Sequence, residues 1–447
     1  MLNRPLSRRL AAASILTLSL GAVALAQEIK PLAPSAAPAV GAINSGDTAW
    51  MLGCTGLVLL MTPGLACFYG GLVRRKNVLG TMMQSMAAMA LLSVMWVAIG
   101  YALSFGKDCH GLVGGLEALF LRGVGGTPHP LYASTTPQLA FMAYQGMFAV
   151  ITPALIGGAV AERMKFSAYF WFIALWSLLV YYPLVHWVWA DGGWLAKMGL
   201  LDFAGGMVVH VSCGVAALVA CLVMGRRRDF PREQIIPHNL PLVLIGGGLL
   251  WFGWFGFNAG SAYKADGIAA SALVATNTSA AMGALVWMIH DWFRFGKPTA
   301  LGMVSGAVAG LGSITPASGF VTPVSALLIG GVASLACATF VNWRTRRGID
   351  DSLDTFGVHG VGGTIGSLLA GVLAVRSINP AGRGLIDGNP HQLWVQSIGV
   401  ATTFVYVGIL TFVILKVMQG FGSLRLKSEE EAIGMDQTEH GEEGYSF

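Results

Sequence analysis

Two histidines lie inside long apolar stretches, where an ionisable side chain is costly and usually faces a pathway or the interior of a helix bundle. His210 follows Asp202 by eight residues, and His359 follows Asp354 by five. Imidazole titrates near neutral pH and has two distinct nitrogens, so a matched pair at depth is suited to relaying a proton. The alternative for each is a buried ring satisfied by a neighbouring carbonyl. Cysteines and carboxylates do not cluster around them at metal-ligand spacing and HExxH is absent, so we expect neither a metal nor another cofactor.

Aromatic and hydroxyl side chains form a second group near the expected ends of apolar segments. Its members are Tyr144, Phe148, Tyr181, Trp189, Trp254, Phe257 and Ser261. An aromatic face attracts a small cation and a serine hydroxyl accepts an N–H hydrogen bond, so the group is suited to a cation site at a mouth. The alternative is an aromatic belt at the membrane interface. Asp202 and Asp354 each stand where a helix begins, which predicts N-capping, and Asp202 would also attract a cation to the outer mouth.

The elements that must position these residues are membrane helices. The chain has 447 residues, of which 55% are hydrophobic and 11% charged, and its mean hydropathy is +0.65; soluble domains carry roughly 25% charged residues. Apolar stretches long enough to cross a bilayer recur eleven times, near 47–73, 78–104, 137–161, 167–189, 202–224, 241–260, 267–289, 299–315, 322–342, 353–375 and 392–418. The pattern predicts an all-α polytopic membrane protein and excludes an ordinary soluble enzyme. The net charge of +5 is spread over short loops, which argues against a nucleic-acid partner.

The termini and loop charges indicate the topology. An arginine-rich start, an apolar stretch and a small-residue site at Ala24–Ala26 predict a signal peptide over 1–26; a short first membrane helix is the alternative. An extracytoplasmic segment (27–45), the membrane domain (46–420) and a cytoplasmic tail (421–447) follow. With the mature N-terminus outside, the basic clusters fall in the cytoplasm at 74–76, 162–165, 226–233, 294–297 and 344–347.

Two local expectations concern the cytoplasmic side. Glu162, beside Arg163 and Lys165, is expected to form an ion pair at the membrane interface. In the tail, the spacing of Ser428 and Glu431 is that of a capping box, and Gly434 can end a helix, so a short helix is predicted there.

The segments that carry the two histidines look related. Both begin with Asp and reach His within one to two turns, and five spans separate them, so they cross the membrane in opposite directions. An inverted repeat of spans one to five and six to ten would produce this relation, with span eleven outside it. The many glycines of the spans are typical of closely packed membrane helices.

Five stretches together resemble a known family. They are PGLACFYGGLVRRKN (63–77), AYQGMFAVITPALIGGAVAER (143–163), DFAGGMVVH (202–210), PHNLPLVLIGGGLLWFGWFGFNAGSA (237–262) and DTFGVHGVGGTIG (354–366). In order and over about residues 45–447, they closely resemble the ammonium transporter, methylammonium permease and Rhesus family, in particular its bacterial ammonium transporter branch.

The resemblance implies a homotrimer with one narrow pore in each subunit, and it assigns roles by motif position. The outer ammonium site would consist of Trp189, Ser261, Phe148, Tyr144 and Asp202. The gate would be formed by Phe148 and Phe257, and the twin histidines of the pore and proton relay would be His210 and His359. Tyr181, Trp254 and Asp354 would be structural positions near the pore. The sequence departs from the family pattern at Tyr144, where phenylalanine is common, and in a loop before Asp202 that is one residue longer.

The function that this resemblance implies is ammonium transport across a bacterial inner membrane, without enzymatic activity. NH4+ would bind outside and lose a proton, NH3 would cross an apolar pore, and the proton would be relayed separately. Methylammonium is a further candidate substrate, and a trimeric PII signal protein is the expected partner at the cytoplasmic face. A passive Rhesus-type channel for NH3 or CO2, and an ammonium sensor acting through its tail, remain alternatives. An intramembrane enzyme would need a nucleophile or a metal set near the histidines.

Overall fold

The computed structural model describes residues 41–231 and 236–445. The predicted signal peptide (1–26) and most of the predicted extracytoplasmic segment (27–45) lie outside the described residues, and they stay predictions.

Within the described ranges, one long apolar helix lies on each of the eleven expected spans. The helices are α1 (Ser45–Leu72), α2 (Arg75–Phe105), α3 (Gln138–Val160), α4 (Phe166–Trp176, Ser177–Tyr181 and Tyr182–Trp189 in one continuous helix), α5 (Gly206–Met224), α6 (Leu240–Ala262), α7 (Gly267–Phe295), α8 (Ala300–Ile314), α9 (Pro323–Arg346), α10 (Phe356–Leu373) and α11 (His391–Phe421). Ten of them are long and apolar enough to cross a membrane. The helix α8 has 15 residues, fewer than the roughly 20 that a bilayer requires, so the eleventh crossing stays a prediction.

The helices bury one another's polar and small residues and expose large apolar ones. Val94, Trp171, Val324 and Trp394 are among the exposed side chains, which is the arrangement expected of a bundle surrounded by lipid. Small residues allow close packing inside: a side chain at Gly246 would collide with the backbone of Phe68 on α1. The expected close packing at glycine is therefore present at this contact.

Short strands connect α2 to α3 on the side opposite the basic clusters. They form two antiparallel pairs, β1 (Asp108–Cys109) with β2 (Val113–Gly114), and β3 (Pro128–His129) with β4 (Ala133–Pro137).

Both histidine-bearing helices begin with a wide, π-type turn. The turn is Gly206–Val211 in α5 and Phe356–Gly360 in α10. The carboxylate of Asp202 accepts hydrogen bonds from the backbone N–H groups of Gly205, Gly206, Met207 and Val208. These are the N–H groups that a helix start leaves without intrahelical partners, so the predicted capping by Asp202 is confirmed.

The prediction that Asp354 caps α10 is wrong, because Asp351 takes this position. Asp351 accepts from the N–H groups of Thr355 at 3.1 Å and Phe356 at 2.8 Å. Asp354 has a positive φ of 59° and pairs instead with Arg344, whose Nε lies 2.9 Å from its carboxylate. Asp351 precedes His359 by eight residues, the same spacing as in α5, so the two helix starts correspond more closely than the sequence comparison suggested. An inverted repeat would produce this match.

A buried ion network joins the loops that carry the basic clusters. Glu162 is 1% exposed and pairs with Arg74 at 3.0 Å and Arg227 at 3.1 Å, rather than with its chain neighbours. Arg227 also pairs with Asp350 at 2.8 Å. The expected ion pair of Glu162 is therefore present, and it connects the α1–α2, α3–α4, α5–α6 and α9–α10 loops.

The tail forms the predicted short helix, with its start shifted by one residue. In α12 (Ser428–Ile433) the carboxylate of Glu430, not Glu431, accepts from the N–H of Lys427 at 2.7 Å, and the helix ends at Gly434, where φ is 118°. Glu431 instead forms an ion pair with Arg425.

The residues after α12 dock on the start of α2. Asp436 accepts from the N–H of Gly80 at 2.8 Å. Asn77 accepts from the N–H of Met435 at 2.8 Å and donates to Glu162 at 3.1 Å. One asparagine thus connects the tail to the ion network.

We predict that Glu162→Gln destabilises the protein by up to about 3 kcal/mol, because it removes the buried carboxylate that Arg74 and Arg227 share and leaves each arginine with one partner, Asp229 and Asp350. Burial by itself raises the pKa of Glu162, but Arg227 and Arg74 outweigh this effect and hold the pKa below its usual value. The stabilisation is therefore fully present above the usual carboxyl range and is lost as the pH falls through the lowered pKa. The measurement is the midpoint of thermal unfolding in detergent as a function of pH.

Asp229→Asn is the matched control, because Asp229 pairs with the same Arg74 but is 30% exposed. We expect a much smaller shift for this variant. Equal midpoints for Glu162→Gln and wild type would contradict the prediction.

Candidate functional site

The mouth on the side opposite the basic clusters, which is predicted to be the outer one, is built around the end of α4. The indole N–H of Trp189 donates to the backbone carbonyl of Asp202 at 2.8 Å. The carboxylate of Asp202 is fully occupied by the N-terminus of α5, and the residue is only 6% exposed. The carboxylate is thus directed at the start of α5, and its attraction of a cation to this mouth stays a prediction. Asp202 also fixes the orientation of Trp189.

Tyr144 and Ser261 meet beside this mouth. The Tyr144 hydroxyl lies 2.7 Å from the carbonyl of Phe257 and 3.2 Å from Oγ of Ser261. Ser261 donates to the same carbonyl at 3.0 Å. With its proton directed at Phe257, the Ser261 oxygen retains lone-pair capacity for an N–H donor.

Two phenylalanines close the passage below. The ring centroids of Phe148 and Phe257 are 4.2 Å apart, and both residues are fully buried. The Trp189 ring packs edge-on against Phe148 at 5.8 Å, and Tyr144 packs against it at 5.0 Å. The aromatic rings of the predicted outer site and gate are thus in mutual contact.

Two members of the aromatic group lie elsewhere. Trp254 belongs to the middle of the bundle, where its ring stacks on His210 at 5.4 Å. Tyr181 is buried against Trp176 and Tyr182. The contact of Trp254 with His210 agrees with the structural position near the pore that the resemblance implies, and the role of Tyr181 stays a prediction.

The two histidines face each other below the gate. Their Nδ1 atoms are 3.2 Å apart and their rings are nearly parallel, at 14°. They line a cavity of about 20 Å³ together with Phe257, Trp254 and Tyr69. A volume of this size holds about one water-sized molecule.

Thr315, directly after α8, lies within hydrogen-bond distance of His210 and favours one tautomer of that ring. Its hydroxyl donates to the carbonyl of Leu311 at 2.8 Å and accepts from the indole N–H of Trp254 at 2.9 Å. The remaining lone pair faces Nε2 of His210 at 3.3 Å, which favours the tautomer of neutral His210 that is protonated at Nε2. Its Nδ1 is then the acceptor, and His359 donates through Nδ1.

A wider cavity of about 900 Å³ lies on the side of the pair that faces the basic loops. His359 and Tyr69 line it together with the Arg344–Asp354 ion pair and Asp291. The site thus combines an aromatic mouth, a closed gate, a one-molecule chamber and a polar vestibule.

Sequence reasoning missed Asp351, Thr315 and Tyr69. The eight-residue spacing to His359 could have indicated Asp351, whereas no local pattern distinguishes Thr315 from other helix-end threonines. In the part of the chain that the structure describes, no group of three His, Cys, Asp or Glu side chains is arranged to hold a metal ion.

We predict that Thr315→Val, which keeps the shape but removes the hydroxyl, abolishes the preference of His210 for the Nε2-protonated form. The measurement is ¹⁵N NMR of the ring nitrogens in histidine-labelled protein, with the His210 signals assigned from a His210→Gln spectrum. Thr315→Ser is the matched control and should retain the wild-type pattern. Unchanged His210 signals in Thr315→Val would contradict the assignment.

Comparisons with known proteins agree with this architecture. The model of the Ammonium Transporter Family matches residues 49–445. The ammonium transporter of Bacillus subtilis (strain 168) is 50% identical over 405 residues, which cover 90% of this chain and 99% of that protein.

Solved structures are also similar. The crystal structure of Saccharomyces cerevisiae Mep2 superposes with a TM-score of 0.81 at 37% identity, and the match covers 87% of this chain and 89% of the Mep2 chain. A protein named Sensor Amt Protein has a TM-score of 0.82 at 29% identity, covering 88% and 98%. The chain is thus a multi-pass membrane protein that belongs to the ammonium transporter family.

Proposed function

We propose that this protein moves ammonium across a bacterial inner membrane by binding NH4+ at the outer mouth, removing a proton, and conducting NH3 through the histidine chamber. The observation that carries the proposal is the paired His210 and His359 in a one-molecule cavity behind the closed Phe148–Phe257 contact.

The side chains at the mouth are suited to binding a small cation that has N–H donors. Trp189, Phe148 and Tyr144 present aromatic rings, whose quadrupole attracts a cation. Ser261 Oγ supplies a hydrogen-bond acceptor. Methylammonium has the same N–H donors and is a further candidate substrate.

The chamber between the gate and the vestibule favours a neutral molecule over a cation. Its lining is mostly apolar, so a bare cation there would incur a penalty on the order of several kcal/mol. NH3 avoids this penalty and can exchange hydrogen bonds with the imidazoles. K+ resembles NH4+ in size and charge but has no proton to lose, so deprotonation is the selective step.

The proton needs a path of its own. The chain from Thr315 through His210 to His359 has a defined direction, with His359 donating to His210. In an inward relay a proton enters Nε2 of His210, the Nδ1 proton of His210 passes to Nδ1 of His359, and Nε2 of His359 releases its proton to the vestibule. The arrangement in which His359 donates to His210 is the state that this transfer leaves, so both rings must exchange their protons before the next transfer.

We predict that proteoliposomes of the wild type give a saturable current after an ammonium pulse, and that His210→Ala and His359→Ala abolish it. Each substitution removes one half of the relay. The measurement is solid-supported-membrane electrophysiology with empty vesicles as the baseline. His391→Ala, which removes an exposed histidine at the start of α11, is the control and should retain the current.

Two results would point elsewhere. Ammonia flux without current, measured by stopped-flow detection of internal pH, would favour a Rhesus-type gas channel for NH3 or CO2. Absence of both current and flux would favour a sensor, a reading to which the similarity to the Sensor Amt Protein lends some weight. The transport proposal does not include enzymatic catalysis.

We further propose a homotrimer in the lipid bilayer with the mature N-terminus in the periplasm and the tail in the cytoplasm, after removal of residues 1–26. A trimeric PII signal protein is the proposed regulator at the cytoplasmic face. The basic loop clusters and the docked tail lie on one side and provide a folded surface for such a partner.

We predict three copies per particle by native mass spectrometry of the detergent-solubilised protein. Addition of the PII protein of the same cell should shift the particle by one PII trimer. A monomeric or dimeric particle would contradict the proposed assembly, and an unchanged mass after addition would contradict the proposed partner.

A further inference from the structure

A buried histidine outside the pore bonds through both ring nitrogens. His186, near the outer end of α4, is 0% exposed. Its Nδ1 lies 3.0 Å from the backbone carbonyl of Ser104, and its Nε2 lies 2.9 Å from the carboxylate of Asp108. Both partners are acceptors, and neutral imidazole carries only one N–H. Only the imidazolium form of His186 can therefore donate to both.

Asp108 is held in its ionised form by its surroundings. Burial raises the pKa of this carboxyl, but the hydrogen bonds from His186 and from the N–H of Gly111, together with Lys197, outweigh it and hold the pKa below its usual value. The Gly111 bond is 2.7 Å long, and Lys197 lies 3.9 Å away. A buried imidazolium thus faces a carboxylate.

The pair ties an extracytoplasmic loop to α4. Asp108 belongs to β1, and the loop is attached a second time by the indole N–H of Trp187, which donates to the carbonyl of Leu112 at 2.7 Å. The segment that follows Trp189 packs on the same pair: a side chain at Gly192 would collide with Asp108, and one at Gly193 would collide with the carbonyl of His186.

Trp189 lies between these contacts. It is three residues beyond His186, and the next residue, Ala190, donates its N–H to the His186 carbonyl at 3.2 Å. The helix turn before the outer-site tryptophan carries His186, and the backbone after it lies against Asp108 at Gly192.

We propose that His186 and Asp108 form a positioning ion pair that holds Trp189 in the outer ammonium site, so that loss of the His186 proton weakens ammonium binding. This inference rests on the proposed transport function. It adds to that function two residues that do not contact the substrate.

Few other charges act on His186. The adjacent part of α2, Tyr101–Phe105, contributes the Ser104 carbonyl and no charged side chain, and the helix Trp194–Lys197 contributes Lys197 by way of Asp108. The neighbouring turn Gly206–Val211 carries His210, which faces His359. The charge of the protonated His186 side chain therefore acts on Asp108.

The experiment is the ammonium current of full-length protein in proteoliposomes at pH 6 and pH 8, for His186→Gln, Asp108→Asn and the double variant. Each half-saturation value is divided by that of wild type at the same pH, so that ammonium speciation cancels. At pH 6 we expect a several-fold higher half-saturation concentration, with the maximal current within about twofold of wild type. The ratio should be at least as large at pH 6 as at pH 8, because the pair acts only while His186 carries both protons.

The double variant should match either single variant, because both remove the same interaction. Asp108→Glu, which keeps the carboxylate, should recover most of the affinity. His110→Gln is the matched control, because His110 is an exposed histidine of the same loop.

Unchanged half-saturation at pH 6, additive effects in the double variant, or a loss of maximal current alone would overturn the proposal. The last two results would indicate that each residue serves folding independently. Absence of current from the wild type would instead overturn the proposed transport function, so the two failures are distinguishable.

Discussion

A helix that begins inside an apolar interior must find acceptors for its first N–H groups, because neither water nor a preceding turn supplies them. The pore depends on how α5 and α10 meet this requirement. Asp202 and Asp351 are each directed at a π-type turn, and each turn presents a histidine eight residues after its carboxylate. The two imidazoles meet because both helix starts are fixed in the same way.

The polar contacts of the pore form one connected set around this arrangement. The backbone of Asp202 orients the tryptophan of the mouth, and Thr315 links the indole of Trp254 to the ring of His210. Asp202 and Thr315 therefore hold the helix ends in place and also contact the side chains of the proposed pathway. A substitution among them would alter both geometry and protonation, so conservative replacements are needed to separate the two effects.

The sequence predicted the spans, the histidine pair, the aromatic contacts of the mouth and the capping role of Asp202, because each follows from hydropathy or from a recognisable motif. It misassigned the cap of α10, since Asp354 stands in the matching motif while Asp351 makes the bonds. It missed Thr315 and the true partners of Glu162, which come from loops far apart in the chain. Such contacts depend on how the helices pack against one another, which a local sequence pattern does not predict.

The closed contact between Phe148 and Phe257 has a bioenergetic consequence. Rings with centroids 4.2 Å apart leave no room for a continuous file of water between the mouth and the histidines. A membrane that stores energy as a proton gradient is damaged by any wet pore, because protons hop along water chains. In the arrangement described here the two rings block such a water chain, so a cell can hold many copies of the protein without discharging the gradient that drives the rest of its metabolism.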